Sequence, residues 1–191
     1  FSEKSIGRPT WDPKKIAEKI TSIPDFFTSK QVNIDTIDDI ILTQLLEKGM
    51  TSLILDLRWN PGGLLSASKE ACGLFLPKNT LVTYTQGRKA GKASLSEDMR
   101  LYTKKTPILP AAFPVVILTN KETASSAEIV TGALQFWSRA IIVGYNTYGK
   151  GSVQTIIPLA QPADSALRLT TALYYTPGEV NIDVAGIRPD V

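Results

Sequence analysis

Apolar and polar positions along the chain follow two periods, one helical and one of strands. Between residues 35 and 49, Ile37, Ile40, Ile41 and Leu45 recur at helical spacing, with Asp35 or Thr36 placed to cap the first turn and Gly49 to end the last. Residues 52–57 form a short apolar run that reads as a strand. It closes in the turn Asn60-Pro61-Gly62-Gly63 and is followed by a helical stretch over 64–76. Residues 81–85 predict a further strand, 86–105 a long polar excursion, and 115–118 a buried strand. Beyond it, Ile129, Val130, Ala133, Leu134 and Trp137 share one face of a helix. A strand at 140–143, a loop ending in Gly149-Lys150-Gly151, and β-structure over 153–159 and 167–175 complete the pattern. Strands alternating with helices predict an α/β layer around one sheet, with an antiparallel closing portion. Residues 1–34 carry Pro9, Pro13 and Pro24 around one short helix over 12–20. They read as a linker or partial lobe ahead of a domain over 35–191.

Composition narrows what this layer can do. The 191 residues are 43% apolar and 20% charged, the balance of an ordinary globular domain, and the longest apolar runs fall far short of the roughly 20 residues a bilayer crossing needs. The net charge is only +3, and the densest basic stretch, residues 88–105, is broken by Glu97 and Asp98, so it reads as a solvated loop and not as a nucleic-acid surface. There is no histidine at all, which removes the base of every Ser/His or Cys/His mechanism and the commonest metal ligand. Cys72 is alone, so neither an intrachain disulfide nor a multi-cysteine metal site can form; in its apolar run it reads as an inert packed thiol. No metal and no cofactor are expected. No signal sequence is visible at Phe1.

Two positions then carry candidate chemistry. Ser125 lies between a buried strand and a helix, where its hydroxyl and the following N–H groups face the positive end of the helix dipole, a suitable place for an oxyanion. The same residue opens Ser125-x-x-Glu128 ahead of an apolar helix, which is equally a capping box with a purely structural serine. Lys150, between Gly149 and Gly151, is either a surface lysine or an amine that the backbone can crowd. Residues 144–150 also match the first seven positions of the phosphate-binding pattern G-x-x-x-x-G-K-[ST], with the strand ending at Asp56 offering a magnesium carboxylate. Against that, Gly151 stands where the metal-binding hydroxyl belongs, and the residues after it alternate like a strand where a helix should begin.

Five segments in order, 53–63 (LILDLRWNPGG), 123–130 (TASSAEIV), 148–154 (YGKGSVQ), 166–171 (ALRLTT) and 186–191 (GIRPDV), resemble the carboxyl-terminal processing peptidases, or tail-specific proteases. The resemblance implies an α/β fold with a mixed sheet flanked by helices, of the ClpP/crotonase type. It implies Ser125 as nucleophile, Lys150 as base, and Gln154 as the glutamine that completes the triad in some members. It further implies the backbone N–H groups of Gly63 and Ser126 as oxyanion-hole donors. The activity implied is endoproteolysis of protein or peptide substrates near a disordered C-terminus, in a periplasmic, secreted or organelle-lumenal setting, with oligomeric state left open. A catalytically silent ligand- or peptide-binding protein on the same fold is the alternative.

Elementary chemistry agrees with those roles. A lysine can take a proton from serine near neutrality only if desolvation lowers its pKa, so the base reading requires a buried amine. Gln154 can accept from that amine without adding a charge. The chain also departs from the family pattern. Phe136 stands where some members have an aspartate on the nucleophile's helix, Leu173 replaces the arginine of a late Ala-Arg-Tyr-Tyr, and the PDZ domain that precedes the catalytic core in full-length relatives is not seen in residues 1–50.

Overall fold

The computed structural model describes residues 39–87, 89–90, 93–94, 98–159 and 165–191. The short helix expected over 12–20 and the segment 1–34 lie outside these residues, as do the helix-cap positions Asp35 and Thr36. In chain order the elements are α1 (Asp39–Glu47), β1 (Leu53–Asp56), α2 (Leu65–Gly73), β2 (Leu81–Gly87), β3 (Lys89–Ala90), β4 (Ala93–Ser94), β5 (Arg100–Tyr102), β6 (Val115–Thr119), α3 (Ser126–Phe136), β7 (Ile141–Gly144), β8 (Ser152–Pro158) and β9 (Ala166–Tyr175).

β1, β6 and β7 form a three-stranded parallel sheet in the order β1-β6-β7, with Leu55 opposite Ile117 and Ile117 opposite Ile142. Strands of a parallel sheet are covered on both faces, which is why these read as nearly continuous apolar runs; Ile117 and Ile142 are fully buried. α3 provides much of the cover. It packs against α2, β2 and β7, and every residue from Ser126 to Leu134 is buried. The predicted helical face at Ile129, Val130, Ala133 and Leu134 is therefore present, but the helix is enclosed all round and not amphipathic.

The closing β-structure forms a second, separate sheet, antiparallel, in the order β5-β2-β9-β8. The single sheet of the sequence reading is thus two, and α3 lies against both, touching β7 of the first and β2 of the second; at its end the Trp137 indole N–H donates to the Leu81 carbonyl of β2 at 2.8 Å. β3 and β4 pair with each other and β5 pairs with β2, so the expected polar excursion holds strands among its described residues. α1 departs from its predicted face. Leu42 is buried, and Leu46 and Met50 are partly buried against the core, whereas Ile40 and Ile41 are 64% and 40% exposed. The stripe at spacing four is the one that meets the core. Among the described residues no helix is long and apolar enough to cross a membrane.

Candidate active site

The carboxyl ends of β1 and β6 lie side by side, and the loops leaving them are stitched together. The Thr123 hydroxyl donates to the Leu57 carbonyl at 2.8 Å, the Ala124 N–H to the Asn60 carbonyl at 2.9 Å, and the Trp59 N–H to Asn120 Oδ1 at 2.9 Å. Asn60 turns its own Oδ1 back onto the Gly62 N–H at 2.9 Å, which shapes the Asn-Pro-Gly-Gly turn. Gly62 has φ of +89°, and a Cβ there would stand 2.7 Å from the Ala124 carbonyl oxygen and 2.8 Å from Ser125 Cβ. Only glycine lets this turn press against the segment that carries Ser125.

Ser125 is the N-cap of α3 with φ 58° and ψ −123°, a conformation L-residues avoid. It is also the one residue between Thr123 and Leu134 that is not buried. A strained serine projecting from a strand-to-helix turn, at the N-terminus of a buried helix, is the placement that presents a hydroxyl to substrate with backbone donors behind it. The capping box weighed from sequence is present as well. Its glutamate half is a full hydrogen bond, Ser125 N–H to Glu128 Oε2 at 2.8 Å. Its serine half is only a close approach, since the Glu128 N–H donates to the Ser125 carbonyl at 2.9 Å. The cap holds the serine backbone and leaves the side chain to other work.

Glu128 does far more than cap. Fully buried, its carboxylate accepts the Thr147 hydroxyl at 2.6 Å and the Gly149 N–H at 2.7 Å on Oε1, and the Lys150 N–H at 2.8 Å on Oε2, beside the Ser125 N–H. Two 2.8 Å bonds to one oxygen hold the backbone nitrogens of Ser125 and Lys150 within twice that distance of each other. Thr147 in turn accepts the Ile187 N–H at 2.6 Å and ties in the C-terminal segment. Neither Glu128 nor Thr147 was singled out as a site residue from sequence. The Ser-x-x-Glu spacing showed the local half of the arrangement and not its long-range half.

The other expected site residues fall as follows. Lys150 is exposed, whereas the base reading requires a buried amine. The glycines around it serve the backbone: Gly149 (φ +88°) and Gly151 lie hard against the main chain of 182–184, with no room for a Cβ, and the Val184 N–H donates to the Gly149 carbonyl at 2.8 Å. Gln154 stands exposed in β8, opposite Thr170. Gly63 and Ser126 adjoin, but the Gly63 N–H donates to the Ser126 hydroxyl oxygen at 2.6 Å. The phosphate-binding reading fails on two counts, because the chain after Lys150 enters β8 and no helix, and because Asp56 is engaged by Arg58 at 2.7 Å. A concavity of about 570 Å³ opens at the carboxyl ends of the parallel strands, lined by Arg58, Trp59, Asn120, Lys121 and Tyr145 among others; none of the expected catalytic residues lines it.

The chain thus combines an α/β layer, a buried helix that starts at a strained serine, and a glycine turn pressed against that serine. The family model for peptidase family S41 matches residues 22–191, and the chain belongs to that family. It is 44% identical over 165 residues to a carboxy-terminal-processing protease of Bartonella bacilliformis, covering 86% of this chain and 35% of that one. With carboxyl-terminal-processing peptidase 1, chloroplastic, of Arabidopsis thaliana it shares 38% identity over 153 residues, 79% of this chain and 29% of the other. Among solved structures, the photosystem II D1 C-terminal processing protease superposes with a TM-score of 0.67 at 31% identity, over 78% of this chain and 36% of that one. The chain thus spans about a third of the length of the curated relatives it matches.

Proposed function

We propose that this chain is the catalytic part of a serine endopeptidase that cleaves protein substrates near their C-termini. The observation that carries the proposal is Glu128, whose one carboxylate binds the backbones of Ser125 and Lys150 together although 25 residues separate them in sequence. Ser125 Oγ attacks the scissile carbonyl and passes its proton to Lys150 Nζ, which returns it to the leaving amine. The developing oxyanion falls at the N-terminus of α3, where the N–H groups of Ser126 and Gly63 are the donors. Gln154 orients the lysine amine. Because Lys150 is exposed here, its desolvation must come with bound substrate, which expels water as it covers the amine. The relatives' names, carboxyl-terminal processing proteases of bacteria and chloroplasts, support the choice of substrate end and a periplasmic or organelle-lumenal setting.

The test is labelling with a fluorophosphonate and turnover of a casein substrate by the parent, Ser125→Ala and Lys150→Ala. Both variants should lose activity to a similar extent, because nucleophile and base act as one unit. Near-normal turnover by Lys150→Ala would sink the dyad. Absence of labelling in the parent, with peptide binding retained, would favour a silent binding protein.

A further inference from the structure

The Gly63 amide has one proton, and in this structure Ser126 Oγ takes it at 2.6 Å. Ser126 is only 1% exposed, whereas Gly63 lies at the surface, so the N–H of an exposed residue is held by a buried hydroxyl. Among the hydrogen bonds that fasten this corner of the molecule are, in order, Ala124 N–H to the Asn60 carbonyl, Gly62 N–H to Asn60 Oδ1, and Gly63 N–H to Ser126 Oγ. The first two fix the position and shape of the turn, and the close approach of Gly62 to Ser125 and Ser126 fixes its distance. The third is the only one that involves the amide proposed for the oxyanion hole. An N–H shared between two acceptors serves both poorly, since each lies off the line of the bond.

We infer that the Ser126 hydroxyl is a latch on the oxyanion hole, holding the Gly63 amide in the free protein and yielding it only to a substrate oxygen. The inference rests on the peptidase reading of Ser125. The exchange breaks one hydrogen bond to the Ser126 hydroxyl and makes no covalent change there. A neutral hydroxyl is a weaker acceptor than an oxygen gaining charge, for charge-assisted hydrogen bonds are about twice as strong as neutral ones. The exchange is therefore driven most in the transition state, where the donor is needed. The Ser126 side chain is a positioning group, separate from the residue's backbone N–H: its hydroxyl sets when the Gly63 donor is available and makes no contact with the reacting atoms. The latch adds the loss of one neutral hydrogen bond to every turnover. Removing it should raise kcat/KM and the rate of serine modification by about fivefold.

The experiment compares parent, Ser126→Ala and Ser126→Thr, with Ser125→Ala as the blank, after thermal melts confirm folding. Two quantities are read: the second-order rate of fluorophosphonate labelling, and hydrogen exchange of the Gly63 amide without ligand. Ser126→Ala should label about fivefold faster than parent and expose the Gly63 amide to faster exchange, while Ser126→Thr, which keeps the hydroxyl, should resemble the parent in both. If threonine does not fold at this buried site, Ser126→Cys, with a weak sulfur acceptor, should fall between parent and alanine. Labelling of Ser126→Ala at or below the parent rate, with the parent itself reactive, overturns the latch and leaves the peptidase reading intact. No labelling of the parent overturns both, whatever the exchange data.

Discussion

Glu128 is a buried carboxylate whose four partners are three backbone N–H groups and one hydroxyl, all donors. Glu128→Gln keeps the shape but turns one oxygen into an NH2 group, which faces two donors and can accept from neither. Loss of two hydrogen bonds and the unmet donors left behind should destabilise the fold by about 3 kcal/mol. Turnover should fall further than stability accounts for, because Ser125 and Lys150 lose their common anchor. Kinetics below the variant's melting transition check this: full kcat at a temperature where it is folded would mean that the carboxylate only caps a helix. Asp56 gives a prediction in pH. Burial pushes its pKa up, but the Arg58 hydrogen bonds outweigh that and hold the carboxyl below its ordinary value. A depressed folded pKa means the stabilisation is complete above the unfolded value, about 3.9, and disappears as pH falls through the folded one. With both side chains 37% exposed, the pair is worth no more than about 1 kcal/mol. Asp56→Asn should therefore be slightly less stable than parent at pH 7 and converge with it on acidification below pH about 4. A gap that persists at low pH would assign the effect to packing instead.

Among the elements, the segment behind Lys150 stores the clearest strain. The Ala185 N–H donates to the Asp183 carbonyl at 2.8 Å, closing a three-residue turn whose central residue, Val184, has φ of +68°. A β-branched residue is poorly suited to that conformation, and Val184 is 88% exposed, so it gains nothing from packing in return. Val184→Asn, which tolerates positive φ, should raise stability by about 1 kcal/mol, seen as a higher melting temperature. A fall in melting temperature would mean that the valine is doing something the turn geometry does not reveal. This turn was not legible in the sequence, since no glycine or asparagine marks position 184. The parallel strands were legible, because burial on both faces demands unbroken apolar runs such as Leu53 to Leu55. The buried face of α1 is not legible in the sequence because Ile40 and Ile41 are as apolar as Leu42, and only the position of the core separates them. Likewise the pairing of Glu128 with residues 147–150 crosses a helix and a strand, and no local pattern encodes it.

At the scale of the whole molecule, the two helices and the central strand must be held in register for the site loops to meet, and a residue that the sequence did not mark takes part in this. Arg139 follows α3, is 9% exposed, and sends its guanidinium to three carbonyls: Phe75 beyond α2 at 3.1 Å, and Phe113 at 2.8 Å and Pro110 at 3.3 Å ahead of β6. Burial lowers its pKa below the usual arginine value, yet an arginine remains cationic at neutral pH. The planar fork lets one side chain satisfy carbonyls from two segments at once, which a lysine ammonium on a single stem cannot. Arg139→Met should fill the space and leave the three carbonyls without that donor, lowering stability by about 3 kcal/mol. Arg139→Lys should do no better, since it still buries a charge while reaching fewer acceptors. Urea unfolding of parent and both variants decides the matter through the midpoint at unchanged m-value. A methionine variant as stable as the parent would mean that water replaces the guanidinium at no cost, and that apolar packing of α3 on α2 and β7 alone keeps the site loops together.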